Sequence, residues 1–126
     1  CISAVWGKRV SCGWAEIFSI VDQRVSSDVC PMFFHLGNES VLQRNYEGAG
    51  FSKIHIQRTS AGLHYNSADE ACAAAFEAGP VALAYFKFKP EVQKEARQDY
   101  LASIEQYRNG SSYDVPGEFV ICEGVK

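Results

Sequence analysis

No apolar run in the 126-residue chain approaches the roughly 20 residues that span a bilayer, and no signal-peptide pattern opens it. Excess positive charge is also missing. Twelve Lys and Arg stand against 15 Asp and Glu, a net charge of −3, so the dense basic stripe of a nucleic-acid binder is excluded. Neither G-x-G-x-x-G nor G-x-x-x-x-G-K-[ST] occurs, so both familiar phosphate-cradling loops are absent. The five cysteines, at 1, 12, 30, 72 and 122, include no C-x-x-C pair. An odd, widely spaced set fits neither a disulfide framework nor a structural zinc site. Reduced thiols in a cytoplasmic protein are the expectation.

What is present is ordinary globular material. Hydrophobic residues make up 47% and charged residues 21%, which excludes disordered and fibrous classes. The length suits one domain, residues 1–126, with a core of its own. The opening Cys1-Ile2-Ser3-Ala4-Val5-Trp6 is apolar and lacks an initiator Met, as though the sequence began inside a strand. A trimmed chain or part of a longer protein is expected.

Cys1 to Trp6 reads as a strand stopped by Gly7. From Gly13, the spacing of Trp14, Phe18, Val21 and Val25 predicts one apolar helix face. Cys30 to Phe34 reads as an apolar loop, because Pro31 disfavours helix at the residue before it. Asn38 is the expected cap of a helix to about Glu47, with Gly48 and Gly50 as its stop. Lys53 to Thr59 alternates as a half-buried strand. Ser67-Ala68-Asp69-Glu70 carries a capping box for an Ala-rich helix ending at Gly79, and Pro80 fits the first turn of another. Pro90 opens the longest helix, with Val92, Ala96, Tyr100, Ile104 and Tyr107 as its apolar stripe and Asn109-Gly110 as its end. Glu118 to Glu123 is apolar on both faces at Phe119 to Cys122, the pattern of an interior strand.

Few residues carry chemistry. Cys12-Gly13-Trp14 lacks the rest of a cysteine-protease signature, and Asp69 with Glu70 is explained by capping. His55 and His64, nine residues apart, fit surface positions better than metal ligands. His35 either lines a pocket or is buried and satisfied. Trp6, at the carboxyl end of the first strand, either packs beneath the next helix or touches a ligand.

Several segments together carry a resemblance. Val5-Trp6-Gly7-Lys8-Arg9, Cys12-Gly13-Trp14-Ala15-Glu16 and Cys30-Pro31-Met32-Phe33-Phe34 open it. Glu47-Gly48-Ala49-Gly50-Phe51, Ser67 through Cys72, and Gly79 through Ala84 follow. Tyr100-Leu101-Ala102-Ser103-Ile104 and Val115 through Val120 complete it. In order and spacing the chain resembles the C-terminal half of class I S-adenosylmethionine-dependent methyltransferases.

The resemblance implies an α/β fold: a three-stranded mixed sheet, its last strand antiparallel and central, with about four helices. The family's cofactor loop and acidic ribose partner lie in a half that this chain lacks. No cofactor is therefore expected in these residues, and S-adenosylmethionine is implied only for a full-length relative. Trp6, Trp14, Phe33, Phe34 and His35 are the expected contacts to a small apolar or aromatic acceptor. No catalytic residue need appear, since such transfer is largely positioning of acceptor against sulfonium. A non-catalytic ligand-binding or dimerisation module derived from a methyltransferase is the alternative. The unpartnered first strand makes a homodimer the expected state.

Overall fold

The computed structural model describes residues 1–25 and 30–126, with Cys30 and Pro31 described by their backbone alone. The expectation of a reduced thiol at Cys30 lies outside the described side chains. Three strands make the sheet's path: β1 (Ile2–Trp6), β4 (Ser112–Val125) and β2 (Ser52–Tyr65), in that order. Both ladders to β4 are antiparallel, so β1 and β2 run one way and β4 runs back between them. The last strand is central, as expected. The sheet is not mixed, however, because among the described residues no two hydrogen-bonded strands are parallel, and a two-residue β3 (Arg108–Asn109) adds a fourth strand against β4. Asn109 pairs with Ser112, so Asn109-Gly110 makes a tight hairpin rather than a helix end, with Gly110 supplying φ +64°.

Helices cover the two faces of the sheet at opposite ends. On one face, Tyr113 and Val115 of β4 lie beneath α1 (Glu16–Asp22), α4 (Ala68–Phe76), α5 (Ala82–Tyr85) and α6 (Pro90–Ile104). On the other, Val120 and Cys122 lie beneath α3 (Val41–Gly48), which contributes Leu42 and Tyr46. β2 follows the same division. Ile54 and Ile56 join the α3 cluster, whereas Leu63 and Tyr65 join the larger core. Gln57 and Arg58 are both exposed where the buried phase changes face. That break is why the alternation read from sequence stops near Thr59 although the strand continues for six more residues.

The long helix keeps its expected register. Ala96, Tyr100 and Ile104 are fully buried, while Glu91, Lys94, Glu95 and Gln98 are exposed. Pro90 occupies the first turn, where a missing amide costs no hydrogen bond. Ser67 caps α4 by accepting from the Glu70 amide at 3.2 Å. The Glu70 carboxylate reaches one residue further back than a capping box requires, accepting from the Asn66 amide at 2.9 Å. These hydrogen bonds hold its pKa below the usual carboxylate value.

Other expectations need correction. The apolar loop is a single helical turn, α2 (Cys30–Phe33), since a proline in a first turn has no amide partner to lose. A 3-10 turn, His35–Gly37, follows it. Asn38 closes that turn and does not cap α3, whose N-terminal residue Ser40 instead accepts from the Arg44 guanidinium at 2.6 Å. Gly48 is the last residue of α3, and Gly50, at φ +80°, makes the stop alone. Pro80 lies before α5, in the turn that leads into it. Val25 is 39% exposed, so the α1 stripe ends at Val21.

Candidate functional site

Trp6 leaves the carboxyl end of β1 and stacks on Phe119, its cross-strand partner, with ring centroids 4.2 Å apart. Trp14, just before α1, meets Trp6 edge-on at 4.7 Å. Behind Trp14 come Phe33 at 5.8 Å and Phe34 at 5.5 Å, both also against Phe18. Edge-to-face and tilted contacts of this kind add ~0.5–1.5 kcal/mol per pair beyond area burial. The cluster is therefore a stiff wall.

A half-open cavity of about 240 Å³ lies against that wall. Trp6, Trp14, Phe33 and Ile17 form one side, and Leu63 and Tyr65, at the carboxyl end of β2, form the floor. Ala74 and Ala75 of α4, Ala78, Gly79 and Pro80 just beyond it, and Tyr100 of α6 complete the lining. The space exists because the α4 residues are small. A larger residue at Ala74 or Ala75 would occupy it.

Of the five expected contacts, the structure brings three, Trp6, Trp14 and Phe33, to the cavity. Phe34 is buried behind them, and its ring contacts are with Trp14, Phe18 and Phe33. His35 is exposed in the 3-10 turn and is not part of the wall, which corrects both readings of it. Trp6 packs in the aromatic cluster, as the first of its two readings has it, and also lines the cavity. Tyr65, Tyr100 and the small residues of α4 were missed. The run Ala73-Ala74-Ala75 followed by Ala78-Gly79 was the available signal, but in a helix it also reads as simple propensity.

The wall's electrostatics are plain. Among the described residues, no Asp, Glu, Lys, Arg or His lines the cavity. Two buried polar atoms among the described residues lack a hydrogen-bond partner, Trp14 Nε1 and the Tyr100 hydroxyl, and both belong to cavity-lining residues. Leaving a buried donor unsatisfied costs ~1–3 kcal/mol, so the pair is a real expense in the fold. Burial, followed by the nearby Tyr65 and Cys72, raises the Tyr100 phenol well above its ordinary range. Burial likewise raises Tyr65, with the Glu70 charge adding to it. Both phenols remain protonated donors at neutral pH.

The thiols of Cys12 and Cys72 are poor nucleophiles. Burial raises the pKa of Cys12 and Cys72, which keeps them as inert thiols. No disulfide joins the described cysteines 1, 12, 72 and 122. His55 and His64 are exposed on β2, as expected, and His64 Nδ1 lies 2.6 Å from Asp114 Oδ1 on β4. That hydrogen bond raises the His64 pKa. The pairing therefore contributes most below the ordinary histidine pKa and fades as pH rises through the raised one. Among the described residues, no group of three or more His, Cys, Asp or Glu could hold a metal ion. No described helix is long and apolar enough to cross a membrane.

Fold and cavity thus define an α/β domain with an open antiparallel sheet and an aromatic-walled cavity, uncharged in its described lining, at the carboxyl ends of two strands. Comparison with protein-family models and with curated proteins returns no match.

Proposed function

We propose that this chain is the substrate-side portion of an S-adenosylmethionine-dependent methyltransferase, and that its cavity holds a small aromatic or apolar acceptor. The strand arrangement carries the reading: β4 runs backward between two strands of common direction. The methyltransferase resemblance implies that insertion, and the sequence order alone does not require it. The cavity's position adds support, because ligands of open α/β sheets gather outside the carboxyl ends of strands. In this reading Trp6, Trp14 and Phe33 bind and orient the acceptor, and the cofactor is gripped by residues outside these 126.

Reading the coding frame upstream of Cys1 tests the proposal. A preceding strand, glycine-rich turn and helix, with an acidic residue after the next strand, is the expected result. An initiation codon directly before Cys1 would overturn it in favour of a free-standing ligand-binding or dimerisation module.

One observation favours self-association of the 126 residues when produced alone. Among the described residues β1 pairs only with β4, and although Gly37 packs at its Trp6 end, Ile2 at the other end is 74% exposed. A symmetric partner can pair the strand there. Light scattering at micromolar concentration is expected to give twice 14.0 kDa, and a monomer mass would contradict this.

A further inference from the structure

The short helix α5 presents apolar side chains to the outside. Leu83 is 83% exposed and Phe86, just past the helix, is 61% exposed. The Phe86 amide donates to the Ala82 carbonyl at 2.9 Å, so the two residues stand three apart on one helical turn and project from the same side. We infer that this turn docks the chain on the surface of an anionic lipid bilayer. Leu83 and Phe86 enter the headgroup layer, and Lys87 and Lys89 meet the lipid phosphates.

The turn cannot fold these side chains away. Val81 and Tyr85 are buried and hold its inner side, with the Tyr85 ring stacked on Phe76 at 4.8 Å. Gln93 Nε2 donates to the Tyr85 carbonyl at 3.0 Å, which ties the turn to α6. Leu83 and Phe86 are thus left on the outer side of a fixed support. Charge points to the kind of partner. Residues 80–94 hold Lys87, Lys89 and Lys94 against Glu91 alone, in a chain whose net charge is −3. All three lysines are exposed, and none makes an ion pair among the described residues. Glu77, just past α4, is already paired with Arg97 at 3.2 Å. Protruding apolar tips beside unpaired lysines match an anionic surface with an apolar layer beneath it. A protein partner fits less well, because two side chains on a four-residue helix fall far short of the roughly 1,200 Å² that a specific interface buries. No described helix can cross a bilayer, and resting on its surface requires none that does. Pro80, exposed three residues before Leu83, also lines the cavity, so docking brings that part of the lining close to the lipid. Docking itself does not depend on what the cavity holds.

Co-sedimentation of the 126-residue chain with large vesicles is the test, using phosphatidylcholine alone and phosphatidylcholine mixed with phosphatidylserine. The chain is expected to bind the mixed vesicles about tenfold more tightly than phosphatidylcholine alone, and added salt should weaken that binding. Leu83→Ser and Phe86→Ser should each weaken it about tenfold, since each removes an inserted apolar side chain. Lys87→Gln and Lys89→Gln should each cost about fivefold on the mixed vesicles and nothing on phosphatidylcholine. Val10→Ser is the control: Val10 is 92% exposed in the 3-10 turn Arg9–Ser11, and its loss should change nothing. Every replaced side chain is exposed, so thermal melts should be unchanged. Equal binding to both kinds of vesicle, or binding that Leu83→Ser and Phe86→Ser leave intact, would overturn the inference. No binding to either would overturn it too, and a solution dimer that Leu83→Ser turns into monomer would then assign the turn to a second copy. None of the replaced residues lines the cavity, so each of these failures leaves the acceptor reading standing.

Discussion

Ala96→Asp is expected to destabilise the fold by about 3 kcal/mol or more, and Ile104→Asp by a similar amount. Both residues are fully buried on the inner face of α6, in the larger core with Phe18, Phe76 and Tyr100. A carboxylate at either place finds no cation in that core, so it must stay buried and unpaired or force the helix off the sheet. Against a total stability of ~5–15 kcal/mol, this is a large fraction. Glu95→Ala, on the exposed face next to Ala96, should change stability by less than about 0.5 kcal/mol. Thermal melts of the three variants check the expectation. Equal shifts for Ala96→Asp and Glu95→Ala would mean that the helix is rotated from the register described.

Gly37→Ala carries the second large effect, through backbone rather than side chains. A Cβ at Gly37 would run into the Trp6 carbonyl oxygen and lie 2.5 Å from the Gly7 oxygen. Neither oxygen can swing away, because both belong to the main chain at the end of β1. The 3-10 turn must therefore lift off that strand, at about 2–3 kcal/mol. The Gly37 carbonyl also accepts from the Arg58 guanidinium at 2.8 Å, so lifting the turn strains the tie to β2 as well. Because Trp6 leaves the same point, its ring should move too, and near-ultraviolet dichroism should change along with the melt. Gly48→Ala is the control of opposite sign. Nothing lies within 4 Å of its added carbon, and the change should be neutral or stabilise α3 by about 0.5 kcal/mol. If Gly37→Ala proved as harmless as Gly48→Ala, the packing of the turn beneath Trp6 would be misplaced.

Legibility in the sequence followed local physics. The stripe of α6 and the cap of α4 were readable because a periodic face and a Ser-x-x-Glu start act within a few residues. The central place of β4 showed in Phe119 to Cys122, apolar on both faces. Only Val120 and Cys122 are fully buried there, with Phe119 and Ile121 half-covered on the other side. The second half of β2 was unreadable because Gln57 and Arg58 break the alternation where the covered face changes. The turn α2 was hidden by Pro31, whose rule about the preceding residue is weaker than the tolerance of a first helical turn. In the candidate site, the aromatic half was visible from Trp6, Trp14 and Phe33, which share nearby segments. Tyr65 and Tyr100 lie far along the chain, and only the sheet and α6 bring them to the same space. Ala74 and Ala75 contribute by being small, and no motif registers a missing side chain. His35 has apolar neighbours in sequence, but the 3-10 turn that carries it exposes its side chain.

Calorimetry with S-adenosylmethionine tests the central claim most directly, namely that these residues supply the acceptor side and no cofactor cradle. Measured on the 126-residue chain and on the chain extended through its upstream frame, the account predicts no binding tighter than about 1 mM for the first. It predicts micromolar binding for the second. Binding by the 126 residues alone well below that limit would contradict it, as would an extended chain that fails to bind.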